Sequence, residues 1–218
     1  MPDYATARFH MVEGQIRPNK VTNAALVDAL MNVPRELFVP PSRKSAAYVD
    51  EDLPIARGRY LMEPMVFARL VNETAPDKRS VVLDIGCASG YSAAVLARVA
   101  GTVVALESDP DLAAEAAAHL KTVGADNAVV VRGPLTEGLP GQGPYDVILI
   151  GGAVGEVPAN LIAQMAEGGR LAAIVAPGSG IGRAMLYEKI GGVVSQRALF
   201  DASSPYLVGF EPQHGFTF

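Results

Sequence analysis

Val81-Val82-Leu83-Asp84-Ile85-Gly86-Cys87-Ala88-Ser89-Gly90-Tyr91 decides how this sequence folds. Its first five residues are a short, mostly apolar run closed by glycine, the pattern of a buried strand. Gly90 to Val99 follows, alanine-rich, and is predicted as a helix. A strand, a glycine loop and a helix in that order place the loop beyond a strand's carboxyl end, where open parallel sheets bind ligands. Downstream the alternation repeats. Thr102 to Leu106 is a second strand closed by Glu107, and a helix starts at Asp109 or Pro110 and runs to about Thr122. Ala128 to Val131 and Tyr145 to Ile150 are further strands. Pro158 to Ala166 is predicted as a helix that Gly168-Gly169 terminates, and Leu171 to Val175 as the fifth strand. Met185 to Ile190, a Gly191-Gly192 turn and the segment after it form an antiparallel hairpin that closes the sheet. The predicted fold is α/β, a doubly wound, mostly parallel sheet of seven strands.

Upstream the organisation changes near residue 78. Residues 1–77 are expected to form a helical and loop-rich N-terminal segment, and residues 78–218 the domain of alternating strands and helices that carries the loop. Thr22 is the predicted cap of a helix from Asn23 to Val33, stopped by Pro34. Phe38-Val39-Pro40-Pro41 is an extended turn, and Pro64 to Thr74 is a second helix with Val66, Phe67, Leu70 and Val71 on one face.

The 218 residues carry a net charge of −5, with no basic footprint for a nucleic-acid backbone. No apolar run reaches a membrane span, and no signal peptide is expected from Met1 to Arg17, which has no apolar core. The one cysteine, Cys87, can form no internal disulfide or thiolate cluster, which fits a reducing cytoplasm. Cys87 reads as a small packed residue of the loop. His10, His119 and His214 are scattered, so no metal site is expected. The apolar ends Phe216 and Phe218 would suit a homodimer. The stretch Phe200 to Tyr206 either lies over the site or closes the sheet.

Glu107, with Ser108 after it, lies roughly 20 positions beyond the loop, where a carboxylate accepts ribose hydroxyls. Asp84 bears on which nucleotide binds. A carboxylate beside the loop repels a pyrophosphate and attracts an ammonium and a sulfonium. Ala88 and Tyr91 also stand where a dinucleotide fingerprint wants glycine. The expected cofactor is therefore S-adenosylmethionine, not NAD.

Asp84-Ile85-Gly86, Ser89-Gly90-Tyr91, Ala93 to Ala97, Pro144-Tyr145-Asp146 and Gly168-Gly169-Arg170-Leu171 resemble the protein-L-isoaspartate O-methyltransferase family. Met11-Val12-Glu13, Gln15-Ile16-Arg17, Pro34-Arg35-Glu36, Phe38-Val39-Pro40 and Ala47-Tyr48 extend the resemblance to nearly the whole chain. It implies a class I methyltransferase fold, S-adenosylhomocysteine as product, and methyl transfer to a carboxylate. The acceptor would be an isoaspartyl protein or peptide, or a small acidic molecule. The cofactor residues it implies are Asp84, Gly86, Cys87, Ser89, Gly90, Tyr91, Glu107, Ser108, Pro134 and Leu135.

Two stretches depart from the family. A Thr-x-Ser-Gln-Pro motif helps hold its substrate, and this chain has Arg59-Tyr60-Leu61-Met62-Glu63-Pro64, aligned on Gly58 and Pro64. Met62 cannot donate a hydrogen bond, and Glu63 adds an acid near an anionic acceptor. Where the family has Gly-Asp-Gly this chain has Gly133-Pro134-Leu135, so Leu135 would pack on the adenine instead. Arg59, Tyr60, Met62 and Glu63 are the acceptor-site candidates of a rebuilt pocket. A carboxylate nucleophile is ionised at neutral pH, with a pKa near ~4, so no general base is required. Proximity and orientation then supply on the order of 7–11 kcal/mol. The competing expectations are a non-catalytic cofactor-binding or interaction protein that keeps the fold, and an NAD-dependent oxidoreductase.

Overall fold

The computed structural model describes residues 3–178 and 181–212. Phe216, Phe218 and His214 lie outside the described residues. Seven strands form one sheet: β3 (Val81–Ile85), β4 (Thr102–Glu107), β5 (Ala128–Arg132), β6 (Tyr145–Val154), β7 (Met165–Val175), β8 (Arg183–Ile190) and β9 (Val193–Asp201). Their spatial order is β5-β4-β3-β6-β7-β8-β9. The first five are parallel, and β7–β8 and β8–β9 are antiparallel. The order reverses at β3, between β4 and β6, so the glycine loop after β3 stands at the switch point of the sheet.

The sheet carries α4 (Tyr91–Val99), α5 (Pro110–Thr122) and the short α6 (Ala159–Ala163). Asp109 caps α5, its side chain accepting from the amides of Asp111 and Leu112. Upstream lie α1 (Tyr4–Met11), extended by a wider turn over Val12–Ile16, then α2 (Ala24–Asn32) and α3 (Pro64–Thr74). Asn23, not Thr22, caps α2: its side chain accepts from Leu26 N. The Thr22 amide goes instead to the Asn72 side chain, at 3.1 Å, which ties α2 to α3. Met11, Ile16, Leu26, Leu30, Phe38, Phe67 and Leu70 share one core with Tyr91, Val95 and Leu96 of α4. The N-terminal segment is thus packed onto the helix that carries the loop.

The predicted helix Pro158–Ala166 is only Ala159–Ala163, and the fifth strand starts at Met165 instead of Leu171. Gly168-Gly169 does not end a helix; it makes an irregularity inside β7, where the register against β6 shifts between Tyr145 and Val147. Gly169 is required there, since a side chain would meet the Tyr145 carbonyl oxygen at 2.9 Å. The fourth strand likewise runs past Ile150 to Val154.

A small antiparallel hairpin, β1 (Leu53–Ala56) and β2 (Arg59–Leu61), was not predicted. It stands over the carboxyl ends of β3 and β4. After β9 the chain returns as a strap along the end of β6. Ala153 N donates to Pro205 O at 3.0 Å, and Leu207 N to Ala153 O at 2.8 Å.

Candidate functional site

The loop is drawn toward β4 because the amides of Gly86 and Cys87 both donate to Leu106 O, at 2.8 and 3.2 Å. This sets Glu107 directly under the loop. Its carboxylate is fully buried and accepts from the amides of Ala88 (2.8 Å), Ser108 (2.8 Å) and Asp109 (3.0 Å). Arg59 completes the set with a bidentate pair, Nη1 to Oε1 at 2.9 Å and Nη2 to Oε2 at 2.5 Å. The Ser108 hydroxyl adds a long contact at 3.4 Å. A carboxylate offers about four lone-pair directions, so Glu107 has none to spare.

Asp84, at the end of β3, is equally buried. Its Oδ2 accepts from the Ser92 hydroxyl at 2.5 Å, and its Oδ1 has no partner. Burial pushes its pKa up to about 7; the hydrogen bond from Ser92 opposes this, and the neighbouring Glu107 adds to it. Burial raises the Cys87 thiol as well, and Cys87 lies buried in the loop as a small packed residue. Ala88 holds φ at +51°, a left-handed conformation strained for any residue with a side chain. No group of three metal-ligating side chains comes together among the described residues.

The other cofactor candidates divide. Gly86 faces the site, and the strap residue Leu207 lies against it, so that a Cβ there would meet Leu207 Cδ1 at 2.8 Å. Ser89 turns away, its hydroxyl donating to Phe38 O at 2.6 Å. Gly90 opens α4 against Ala116. Tyr91 is buried between Phe38 and Phe67, with the Arg35 guanidinium 4.8 Å from its ring centre, and its hydroxyl has no partner. Leu135 is buried beside the strap residues Leu207 and Phe210, while Pro134 is exposed.

The acceptor candidates also separate. Tyr60 and Met62 line a cavity with Phe67, Cys87, Tyr91 and Leu149 whose volume is only about 20 Å³. Arg59 does not join them; it reaches down to Glu107, while Arg57 across the turn is exposed. Glu63 does not line the cavity. Its amide donates to Asp52 at 3.0 Å, and burial, aided by Asp50 and Asp52, lifts its carboxyl to about 7.

Three contributors were not anticipated. Ser92 is the second residue of α4 and faces back to Asp84. Arg35 is wholly buried, donating to the carbonyls of Ala47 and Met62, both at 2.7 Å. Leu207 comes from the far end of the sequence. Only Ser92 had a local signal, a hydroxyl in the first turn of the helix after the loop.

Chemically, the residues suit a nucleoside bearing a cationic group. The Glu107 carboxylate is filled by Arg59 and three amides, and the orphaned Oδ1 of Asp84 lacks only a donor. Arg59 and Leu207 both lie against the loop, the first on Glu107 and the second on Gly86.

Comparison with known proteins agrees with this chemistry. The model of the family "Protein-L-isoaspartate(D-aspartate) O-methyltransferase (PCMT)" matches residues 7–203. A protein-L-isoaspartate O-methyltransferase of Methanoculleus marisnigri is 39% identical over 170 residues, covering 78% of this chain and 77% of that one. One from Roseiflexus castenholzii is 41% identical over 171 residues, with the same coverage of each chain. A solved protein-L-isoaspartate O-methyltransferase superposes with a TM-score of 0.81 at 27% identity, over 93% of this chain and 66% of that chain. A structure from Plasmodium falciparum, solved in complex with S-adenosyl-L-homocysteine, has the same fold, with a TM-score of 0.75 at 17% identity over 94% of this chain and 99% of that chain.

Proposed function

The chain belongs to the protein-L-isoaspartate O-methyltransferase family, whose members use S-adenosylmethionine, and from that premise we propose a methyltransferase acting on a protein or peptide carboxylate through an altered acceptor pocket. Membership sets the dinucleotide oxidoreductase aside. The observation that carries the reading is the pair of buried acids at the switch point, Glu107 under the loop and Asp84 with one oxygen unpartnered.

Asp84, Gly86, Cys87, Glu107, Ser108 and Leu135 would hold the cofactor, with Ser89, Gly90 and Tyr91 shaping the loop and Pro134 at its rim. When bound, that group supplies a methyl on a sulfonium, ready for in-line displacement. Residues 1–77 would form the acceptor side, and residues 78–218 the cofactor side. The acceptor carboxylate needs orientation and exclusion of water, not deprotonation.

The acceptor itself is the altered part. Met62 presents a thioether where the family's hydroxyl would position an isoaspartyl group. Tyr60 is 37% exposed, at the mouth of the cavity. Glu63 carries only part of its charge at neutral pH, since its pKa is near 7, so it opposes an anionic acceptor less than its type implies. No helix among the described residues is long and apolar enough to cross a membrane.

The test is S-adenosylhomocysteine release from S-adenosylmethionine with an isoaspartyl peptide beside its aspartyl twin. Turnover confined to the isoaspartyl peptide would restore the family's own specificity and refute an altered pocket. Turnover on other carboxylates supports the proposal. Cofactor binding with no turnover on any carboxylate would replace it with a non-catalytic binding protein.

A further inference from the structure

The carboxylate reserved for a ribose is already occupied. Arg59 and Glu107 are a buried, two-pronged pair, with side-chain exposures of 5% and 0%. A guanidinium fork matches a carboxylate in shape as well as charge. It sits where the proposed ligand would place its ribose hydroxyls. Leu207 lies against Gly86 from the other side, and its backbone and Cβ approach Gly152. The hairpin and the strap also meet each other, Val208 Cγ2 standing 3.9 Å from where a Gly58 side chain would begin. The cavity of about 20 Å³ beside the loop is lined by neither Arg59 nor Glu107 and has room for roughly one water molecule, so it offers the ribose no other seat.

We propose that the chain closes its own cofactor site: Arg59, backed by Leu207 over the loop, is an internal competitor that must leave Glu107 before a nucleoside can bind. The inference rests on the cofactor reading above and adds a control that the reading does not contain.

The hairpin is the part suited to move. β1 has four residues and β2 three, paired with an irregularity between Pro54 and Ala56. Two strands of that length contribute little stability of their own. The strap is held more firmly, by Leu207 N to Ala153 O, by Gly155 N to Phe210 O at 2.7 Å, and by the Tyr206 hydroxyl to Ala176 O at 2.8 Å. Opening therefore means withdrawal of β2 with Arg59, while the strap keeps its place along β6. Apparent affinity is then the intrinsic affinity scaled by the fraction of molecules that are open.

Isothermal titration of S-adenosylhomocysteine into the full chain and into Arg59→Ala and Arg59→Gln tests this directly. Circular dichroism melts verify that each variant folds. Arg59→Ala leaves Glu107 without its counter-charge, so Arg59→Gln, which keeps a neutral donor, is the safeguard against misfolding. At least a ten-fold gain in affinity is expected in whichever variant folds, equivalent to ~1.4 kcal/mol. Equal or weaker binding than the unaltered chain would overturn the closure and leave the cofactor reading standing. Binding by none of the three proteins would overturn both.

Discussion

Two regions face Glu107 from opposite sides, and they are built on different principles. The loop Gly86–Gly90 approaches with backbone: the Ala88 amide donates to the carboxylate, and the loop is pinned by two hydrogen bonds to Leu106. The hairpin β1–β2 approaches with a side chain, the Arg59 guanidinium. A backbone donor is fixed by the strand and helix on either side of it and survives most substitutions. A side-chain donor is set by one residue and can be exchanged without changing the fold. The loop side is therefore fixed by the fold, whereas the hairpin side rests on one exchangeable side chain.

The contrast is broken most severely at the residue the two regions share. Glu107→Ala strands Arg59 in a buried site and leaves the amides of Ala88, Ser108 and Asp109 without that acceptor. Loss of one member of a buried pair costs about 3–5 kcal/mol, and the orphaned amides put this variant near ~5 kcal/mol. Urea unfolding measures it. A loss below ~1 kcal/mol would show that Arg59 swings freely into water, and the hairpin would then be no lid.

A second effect belongs to the loop side alone. Asp84 ionises near 3.8 when free and near 7 here because it is buried. A carboxyl raised by folding binds more protons folded than unfolded between those values, so stability falls as pH rises from about 4 to about 7. At 1.36 kcal/mol per unit this is on the order of 4 kcal/mol for the ligand-free protein. Glu63 moves in the same direction, so Asp84→Asn is needed to isolate the effect. Unfolding free energies from pH 4 to 7 are expected to decline less steeply in Asp84→Asn than in the unaltered chain. Identical slopes would mean that Asp84 is charged in the fold and has a partner.

Much of the loop side was legible in the sequence, because its signals are local. An apolar run, glycines and an alanine-rich helix follow one another between Val81 and Val99, and a strand ends in Glu107. The hairpin was not legible. Pro54 and Gly58 mask its alternation, and Arg57 and Arg59 are chemically alike. Only pairing across the turn, with Ala56 opposite Arg59, decides which of them is buried. Gly168-Gly169 misled for a related reason: a glycine pair serves equally to stop a helix or to kink a strand, and the Tyr145 backbone across the sheet settles which. Leu207 depends on contacts with residues more than fifty positions away, for which no local pattern exists.

Leu207 tests the lid from the strap side. It is buried against Gly86 and Gly152 in the core beneath β6. Leu207→Ala removes that packing and is expected to cost about 3 kcal/mol, within the range for such truncations. It leaves Arg59 on Glu107, so S-adenosylhomocysteine should bind it less tightly than it binds Arg59→Gln. If Leu207→Ala alone gave the full gain in affinity, the strap would be the barrier and the guanidinium incidental.

The smallest effect asks whether the N-terminal segment influences the site beyond the hairpin. Asn23 caps α2 by accepting from Leu26 N at 3.1 Å, and α2 lies in the same core as α4, the helix that begins where the loop ends. Asn23→Ala removes one cap, a loss of about 1 kcal/mol. The loop, however, is held by hydrogen bonds to Leu106, Glu107 and Phe38 O, none of which belongs to α2. A melt should therefore record the destabilisation while S-adenosylhomocysteine affinity stays unchanged in both the unaltered and the Arg59→Gln backgrounds. A parallel fall in affinity would mean that the loop's geometry is set through α4 from the N-terminal core, and the division between a fixed backbone side and an exchangeable lid side would have to be redrawn around that helix.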